Sequence, residues 1–242
     1  MSDVRQVAVP VATLWSSPEA PRDLDAAAVA DEPDMAAWVA AITPEEASTG
    51  LHGRTLTQLV RGEPFEVHEE ADGWLRGIAP WQPKPGHAGY PGWLRATHVG
   101  PAADVAPLPG PTGHDVLDVA RRFVGVRYLW GGTSEWGVDC SGLVHLAFRT
   151  AGARVPRDAC DQHSWDGTRP VPLDDVQPGD LYFFARPGGV VHHVGFATGV
   201  VGADGSRPML HAPEGGLVED APMTAGRREL LVAAGRIVTP AG

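Results

Sequence analysis

One cysteine lies where a thiol is suited to nucleophilic chemistry. Cys140 stands in the stretch from Tyr128 to Gly142, between a glycine-rich turn and an apolar run that predicts a helix. The N-terminus of a helix carries the positive end of the helix dipole and several unpaired backbone N–H groups. Those groups favour a thiolate and can also bind an oxyanion. We therefore predict that Cys140 is a nucleophile and that Asp139 caps the helix.

A catalytic thiol also needs a general base, and histidine is the usual source. His192 and His193 are neighbours in a predicted strand, 190–198, so the alternation of side chains sends them to opposite faces. At most one of them can face the cysteine. His211 lies on the next predicted strand, where it can stand beside the chosen histidine. Periodicity alone does not decide between the two neighbours.

The remaining chemistry-bearing residues do not form a metal-binding pattern. The sequence contains no Cys-x-x-Cys pair and no His-Glu-x-x-His segment. Neither a metal nor another cofactor is expected. A nucleophilic Cys140 must stay reduced, so Cys160 is expected to be a small, buried apolar residue rather than its disulfide partner.

Composition and charge exclude several classes of partner. The chain has 242 residues and a formal net charge of -11, whereas nucleic acids and anionic membranes select basic surfaces. Neither is expected as a partner. The N-terminal residues lack the basic and apolar regions of a signal peptide, and no apolar run approaches the ~20 residues that span a bilayer. A cytoplasmic location is therefore expected.

Residues 1–100 predict an all-β domain with a helical insertion near 19–49. Turn signals at Gly, Pro and Asp separate the predicted strands, which is typical of a small barrel. These strands are 4–15, 58–61, 65–68, 74–79 and 92–95. The insertion predicts one short amphipathic helix that begins at Pro33 and serves as a packing device or lid. Its buried face consists of Met35, Trp38, Val39 and Ile42.

Residues 101–114 are rich in Pro and Gly and predict a linker. Residues 115–242 predict an α+β domain, with helices after 115 and 139 followed by an antiparallel sheet. A loop is expected over 153–179. The strands are predicted at 181–185, 190–198 and 208–212, and residues 230–237 predict a last strand or helix.

Four segments of the first domain, in order, resemble a bacterial SH3-type domain. They are Leu-Trp-Ser-Ser-Pro, Gly-Glu-Pro-Phe-Glu-Val, Asp-Gly-Trp-Leu-Arg and Gly-Tyr-Pro-Gly-Trp-Leu. The resemblance implies an SH3-type barrel, interrupted by the helical insertion. The chain has room for one such domain.

Ordered motifs of the second domain resemble the NlpC/P60 family, papain-like cysteine peptidases that act on bacterial cell wall peptides. The motifs are Tyr-Leu-Trp-Gly-Gly, Val-Asp-Cys-Ser-Gly-Leu-Val, Pro-Gly-Asp-Leu-Tyr-Phe-Phe, His-Val-Gly-Phe and Leu-His-Ala. The resemblance implies Cys140 as nucleophile, His193 as base and His211 as the residue that orients the base. His192 would then be a structural or surface residue, and Tyr128 would help to stabilise the oxyanion.

The family resemblance also implies a reaction, hydrolysis of the γ-D-glutamyl to diamino acid bond in stem peptides. Val-Pro-Arg-Asp-Ala at 155–159, with the SH3-type segments, resembles the cytoplasmic branch that recycles freed peptides with an unblocked L-Ala. The expected partner is the small peptide L-Ala-γ-D-Glu-diamino acid. The residues implied to line the pocket are Asp139, Ser141, Arg157 and Asp158, with Arg157 gripping a substrate carboxylate in bidentate fashion. From the first domain, Glu63 and Tyr90 would hold the L-Ala amine.

Other functions remain open from the sequence. A hydrolase of intact wall peptidoglycan would use the same Cys140 and histidines, as would an amidase or acyltransferase. A non-catalytic wall-peptide binding protein would use the SH3-type domain as its reader. The intact set of one cysteine and two histidines favours an enzyme.

Overall fold

Two large antiparallel sheets organise the chain in the computed structural model, which describes residues 3–102, 107–110 and 112–238. The first sheet is built from short apolar strands that turns separate. Its seven strands are β1 (Asp3–Val7), β2 (Val11–Trp15), β3 (Thr55–Val60), β4 (Pro64–Ala71), β5 (Trp74–Ala79), β6 (Tyr90–Arg95) and β7 (Val99–Pro101). The single opening strand that the sequence predicts is two strands, because the chain turns at Pro10, which has no N–H for the ladder.

The strands of this sheet follow the order β3-β2-β6-β5-β4-β1-β7. Within the described residues β3 and β7 are edge strands, and no pairing between them closes a barrel. The SH3-type barrel is therefore not confirmed and stays a prediction. Buried side chains under the sheet include Leu14, Leu59, Phe65, Leu75 and Leu94.

The insertion between β2 and β3 contains several short helices instead of one. They are α1 (Ala26–Val29), α2 (Met35–Ala41) and α3 (Pro44–Ala47), with 3-10 turns at Asp23–Asp25 and Thr49–Leu51. Helix α2 begins after Asp34, which caps it, so the prediction that it starts at Pro33 is wrong by two residues. The chain is extended at Ile42, and Thr43 with Pro44 then starts a new helix through a capping box.

The insertion packs against the stretch that precedes Cys140. The Arg127 guanidinium donates to the carbonyl oxygens of Val39 and Ile42. The backbone N–H of Trp130 donates to the carbonyl of Ala47 over 2.8 Å. Because these bonds hold the Arg127 side chain and the backbone of Trp130, the insertion helps to fix the path of the chain into the site.

The second sheet follows two helices, as the α+β prediction requires. Its six antiparallel strands have the order β10-β15-β11-β12-β13-β14. Their bounds are β10 (Thr168–Val171), β11 (Leu181–Ala185), β12 (Val191–Ala197), β13 (Pro208–His211), β14 (Glu219–Pro222) and β15 (Leu231–Ile237). A two-stranded sheet pairs β8 (Thr133–Ser134) with β9 (Gly137–Val138).

Helices α4 (Val116–Arg121) and α5 (Cys140–Thr150) pack on each other, and α5 packs on β12. Two further helices, α6 (Ala159–Ser164) and α7 (Ala225–Glu229), were not predicted from the sequence. Helix α6 and strand β10 lie in the predicted loop region, where their apolar residues are too few to give a clear period. The core between these helices and the second sheet contains Leu143, Val144, Phe148, Val194 and Phe196.

Residues 103–106 and 111 of the predicted linker lie outside the described residues. In the described part of the chain, no helix has the length and apolar character needed to cross a membrane.

Candidate active site

Asp139 fixes the start of helix α5. Its carboxylate accepts the backbone N–H of Gly142 over 2.7 Å, so the predicted N-cap is confirmed. The same carboxylate accepts the N–H of Gly131, also over 2.7 Å. A Cβ on Gly142 would lie 2.1 Å from the carbonyl oxygen of Gly132, so only glycine allows the turn to pack against the helix. Cys140 is thereby held as the first residue of α5.

The environment of the Cys140 thiol differs from the sequence expectation. The residue is only 7% exposed. Burial and the nearby Asp139 carboxylate raise the pKa of Cys140 to about 12, although hydrogen bonds from the backbone N–H groups of Val194 and Ser141 act to lower it. The helix N-terminus does favour a thiolate, but the cost of holding a charged thiolate away from water is larger than this effect. Burial therefore favours the neutral thiol, so a nucleophilic role for Cys140 would require a base.

The structure brings His193 and His211 together. His193 Nε2 lies 2.8 Å from His211 Nδ1, and their rings are perpendicular. His211 Nε2 lies 3.2 Å from a carboxylate oxygen of Glu219. The Val194 N–H that reaches the Cys140 sulfur follows His193 directly in β12. The bond to His211 uses Nε2 of His193 and leaves its Nδ1 without a part in that bond.

The register of strands β12 and β13 explains this pairing, which the sequence could not fix. Phe196 faces Leu210 across the hairpin, which places Gly195 beside His211. A Cβ on Gly195 would lie 2.9 Å from the Cβ of His211. The glycine therefore leaves room for the His211 ring to reach His193. His192 is exposed and lies at the rim of the cleft, as expected for the neighbour that is not buried.

Both buried histidines are neutral near pH 7. Burial and the positive charge of Arg227 hold the pKa of His193 well below its usual value. The same two causes lower the pKa of His211 to about 4. A neutral imidazole can accept the thiol proton, so the geometry fits general-base activation of Cys140 rather than a preformed ion pair.

The cleft beside Cys140 is a cavity of about 420 Å³. It brings together most of the residues that the family resemblance implies. Those that line it are Tyr90, Tyr128, Asp139, Ser141, Arg157 and Asp158. Residues of both sheets therefore contribute to one cleft.

Arg157 does not present its bidentate face to the cleft. The residue is 1% exposed, and its Nη1 and Nη2 atoms donate to the two carboxylate oxygens of Asp139 over 3.0 and 2.6 Å. Nη1 also donates to Ser141 Oγ, and Nε donates to Thr57 Oγ1 in the first sheet. The expectation that Arg157 grips a substrate carboxylate in bidentate fashion is therefore corrected, since Asp139 already occupies that face.

Glu63 is not part of the cleft, which corrects a second expectation. Its side chain is fully buried and accepts from Arg149 Nη1 over 2.5 Å and from the backbone N–H of Val60 over 2.8 Å. The carboxylate thus stabilises the turn between Val60 and Glu63 and forms an ion pair with Arg149 of helix α5. Neither Glu63 nor Arg149 lines the cleft. Tyr90, by contrast, donates its hydroxyl to Asp158 over 2.9 Å inside the cleft.

Two residues near these groups were missed by sequence reasoning. Lys84 Nζ lies 2.6 Å from Asp158 and 2.8 Å from Asp161, and it comes from a loop of the first sheet without any motif. Glu219 lies opposite His211 across strands β13 and β14. Only the strand register reveals that position, so the sequence offers no local signal for either residue.

The buried histidines predict an acid-sensitive fold. Burial holds the pKa values of His145 and His193 well below 6.5 and that of His211 at about 4, so the unfolded chain binds more protons below pH 6.5. The contribution of these neutral histidines to the free energy of unfolding is present above pH 6.5 and is lost as the pH falls. Urea unfolding should give a free energy that drops between pH 6.5 and 5 by up to about 1.4 kcal/mol per pH unit for each histidine. His145→Gln should reduce this slope, and an unchanged slope would contradict the assignment.

Known proteins resemble this chain in both sequence and structure. The model of the NlpC/P60 family matches residues 125–236. A gamma-D-glutamyl-L-lysine dipeptidyl-peptidase of Bacillus subtilis (strain 168) is 29% identical over 85% of this chain and 88% of its own length. The protein of that name from Bacillus cereus is 26% identical over 85% and 81%. A crystal structure of an NlpC/P60 family protein from Bacillus cereus superposes with a TM-score of 0.84 at 24% identity, covering 98% of this chain and all of that one.

Proposed function

Because residues 125–236 match the model of the NlpC/P60 family, we propose that the chain is a cysteine peptidase that cleaves the γ-D-glutamyl to diamino acid bond of peptidoglycan stem peptides. The products would be L-Ala-γ-D-Glu and a free diamino acid or the peptide that begins with it. The names of the two Bacillus relatives support this bond. The observation that carries the proposal is a cluster of Asp158, Asp161, Lys84 and Tyr90, which we call the acidic corner. Its Tyr90 and Asp158 line the same cavity as Cys140.

The proposed chemistry begins with transfer of the Cys140 proton to His193 as the sulfur attacks the γ-carbonyl carbon of D-Glu. The backbone N–H of Cys140 and the Tyr128 hydroxyl would stabilise the oxyanion. Burial and the nearby Cys140 raise the pKa of Tyr128, so its hydroxyl stays protonated and can donate. The imidazolium of His193 then protonates the leaving amine, and the C–N bond breaks.

The second half of the reaction regenerates the thiol. His193, neutral again, takes a proton from water, whose oxygen attacks the thioester carbonyl. The C–S bond breaks, L-Ala-γ-D-Glu leaves as a free acid, and Cys140 recovers its proton. His211, hydrogen-bonded to His193 and to Glu219, holds the ring of the base in place throughout.

The acidic corner is suited to the ammonium group of L-Ala. Asp158 and Asp161 share one cation, Lys84, so the corner keeps one net negative charge. The Arg157 charge nearby is matched by Asp139. A free amine at the end of the acyl part of the substrate would supply the missing positive charge. Asp158 therefore takes the role that the sequence had given to Glu63, with Tyr90 beside it.

Recognition of a free L-Ala amine implies freed peptides as substrates. In intact peptidoglycan that nitrogen forms an amide and carries no charge. We therefore propose a role in the recycling of wall peptides in the cytoplasm. The first sheet, whose segments resemble an SH3-type domain, would supply Tyr90 as part of one wall of the cleft.

Blocking the substrate amine should abolish most of the activity. N-acetylation of L-Ala-γ-D-Glu-L-Lys is expected to lower kcat/KM by about 100-fold, because it removes the substrate cation that would balance the net negative charge of the acidic corner. Asp158→Asn should remove most of this discrimination. Asp161→Asn also removes the net charge of the corner but keeps the carboxylate beside Tyr90, so it should reduce the discrimination less than Asp158→Asn does. Steady-state kinetics with both peptides provides the measurement.

The competing function has its own outcome in the same experiment. Equal cleavage of the acetylated and free peptides, together with release of fragments from intact wall sacculi, would replace this proposal with a hydrolase of polymeric peptidoglycan.

A further inference from the structure

The cleft continues beyond His193 into a second cavity of about 520 Å³. Tyr128, Trp130 and His192 line both cavities, so they are two parts of one cleft. The first part contains Cys140 and the acidic corner. We call the second part the leaving-group half, defined by His193, Arg186, Glu214 and Arg227.

The position of His193 assigns this second cavity to the leaving group. In amide hydrolysis the base must give its proton to the departing amine, so that amine leaves next to the imidazole. His193 lines the second cavity, whereas Cys140 and Ser141 line the first. The acyl part therefore occupies the first cavity, and the amino acid that departs occupies the leaving-group half.

Arg227 is a positive charge without a close counterion in that half. It lies on helix α7, half-buried, with its guanidinium carbon 5.5 Å from the centre of the Phe184 ring. Among the described residues, no carboxylate lies within 4.0 Å of its nitrogens. Burial lowers the pKa of Arg227, since the group has lost water without gaining a hydrogen-bonded anion.

The other charges of the leaving-group half do not neutralise Arg227. Arg186 is exposed at its edge and adds a second positive charge. Glu214 supplies one negative charge, but it lies 3.5 Å from His52 Nε2. Glu219 also acts on the charge of Arg227, but it does not line this half and is bonded to His211. Among the residues that line the leaving-group half, two guanidinium groups stand against one carboxylate, and this excess of positive charge favours an anionic ligand group.

We propose that Arg227 binds a carboxylate of the departing amino acid and so determines which leaving groups the enzyme accepts. The inference rests on the proposed function, because it places the diamino acid in the leaving-group half. The carboxylate has two sources in a diamino acid substrate. It is the α-carboxylate next to the departing amine, or the side-chain carboxylate of a diaminodicarboxylic acid.

A bound carboxylate would also assist the base. Arg227 lowers the pKa of His193 in the free enzyme by its charge. A substrate carboxylate on Arg227 offsets that charge and makes the imidazolium of His193 easier to form. Substrates that carry the carboxylate should therefore gain in kcat as well as in KM.

Three peptides separate the two sources of the carboxylate. All three contain the α-carboxylate of D-Glu, so they differ only at the departing residue. There L-Ala-γ-D-Glu-L-Lys carries the α-carboxylate alone, and L-Ala-γ-D-Glu-L-Lys-amide carries no carboxylate. The corresponding meso-diaminopimelate peptide with an α-carboxamide carries the side-chain carboxylate alone. Each is assayed for kcat and KM with the native enzyme, Arg227→Gln and Arg227→Lys.

The expected result is a loss of kcat/KM in the Arg227 variants that depends on whether the departing residue carries a carboxylate. Arg227→Gln should lower kcat/KM about 10- to 100-fold for whichever carboxylate peptide the native enzyme prefers, and by less than about 3-fold for the peptide with none. Arg227→Lys should recover part of the loss, since it keeps the charge without the planar fork. Arg228→Gln, at the neighbouring exposed arginine, is the matched control and should behave as the native enzyme.

The outcomes distinguish this inference from the proposed function. Native cleavage of all three peptides with an equal effect of Arg227→Gln on each would overturn the carboxylate role alone. No effect of Arg227→Gln on any peptide would do the same. If the native enzyme leaves every peptide intact, the proposed function and this inference are both overturned.

Discussion

Cys140→Ala, His193→Ala and the double variant are expected to lose activity by the same factor, about 10⁴-fold or more in kcat/KM. In the proposed mechanism the two side chains act in one step, because burial favours the neutral thiol, which would react as His193 takes its proton. Removing either one therefore removes the whole of their joint effect, and the second change costs little more. The measurement is kcat/KM for the free tripeptide with each variant.

His192→Ala is the matched control for this prediction. His192 is the neighbouring residue in strand β12, but it is exposed and has no hydrogen bond to His211. The kcat/KM of the His192→Ala variant should stay within about tenfold of the native value. A large loss in His192→Ala with a small loss in His193→Ala would exchange their roles and refute the assignment of the base.

Asp139→Ala should destabilise the protein more than any other helix-cap change. The carboxylate accepts from Gly142 and Gly131 and forms a buried bidentate pair with Arg157. Its loss leaves the Arg157 charge unpaired among buried groups, which costs about 3–5 kcal/mol in the free energy of unfolding. Activity should fall as well, since Asp139 fixes the start of the helix that carries Cys140. Urea unfolding followed by tryptophan fluorescence measures the change.

Two variants separate the ion pair from the cap. Asp115 caps helix α4 from an exposed position without an ion pair, so Asp115→Ala should cost only about 1 kcal/mol. Combining Asp139→Asn with Arg157→Met removes both charges while an oxygen remains at the cap, and it should recover much of the loss. Equal costs for Asp139→Ala and Asp115→Ala would show that the buried pair contributes nothing.

The local sequence was sufficient to place Cys140 at the start of a helix. A glycine-rich turn, an aspartate and an apolar run specify this position within a few residues, and Asp139 caps the helix as predicted. Strands β11, β12 and β13 of the second sheet were also predictable, because apolar runs between turns determine them. Strand β15 was predicted only as a strand or helix, and β10 and β14 were missed. The ionisation of the thiol was not, since it depends on burial by residues far along the chain.

The errors at the site concern side chains whose partners are distant in sequence. Glu63 pairs with Arg149, which is 86 positions away, and Thr57 accepts from Arg157 across 100 positions. Neither pairing leaves a periodic or motif signal. The insertion was misread for a related reason, because its short helices are stabilised by packing on Trp130 and Arg127 rather than by their own length.

Product analysis of L-Ala-γ-D-Glu-L-Lys by mass spectrometry tests the central claim most directly. The native enzyme should release L-Ala-γ-D-Glu and free lysine, and Cys140→Ala, whose fold should be intact, should release neither. Cleavage between L-Ala and D-Glu, or equal release of lysine by Cys140→Ala, would contradict the claim that the Cys140 thiol hydrolyses the γ-D-glutamyl bond.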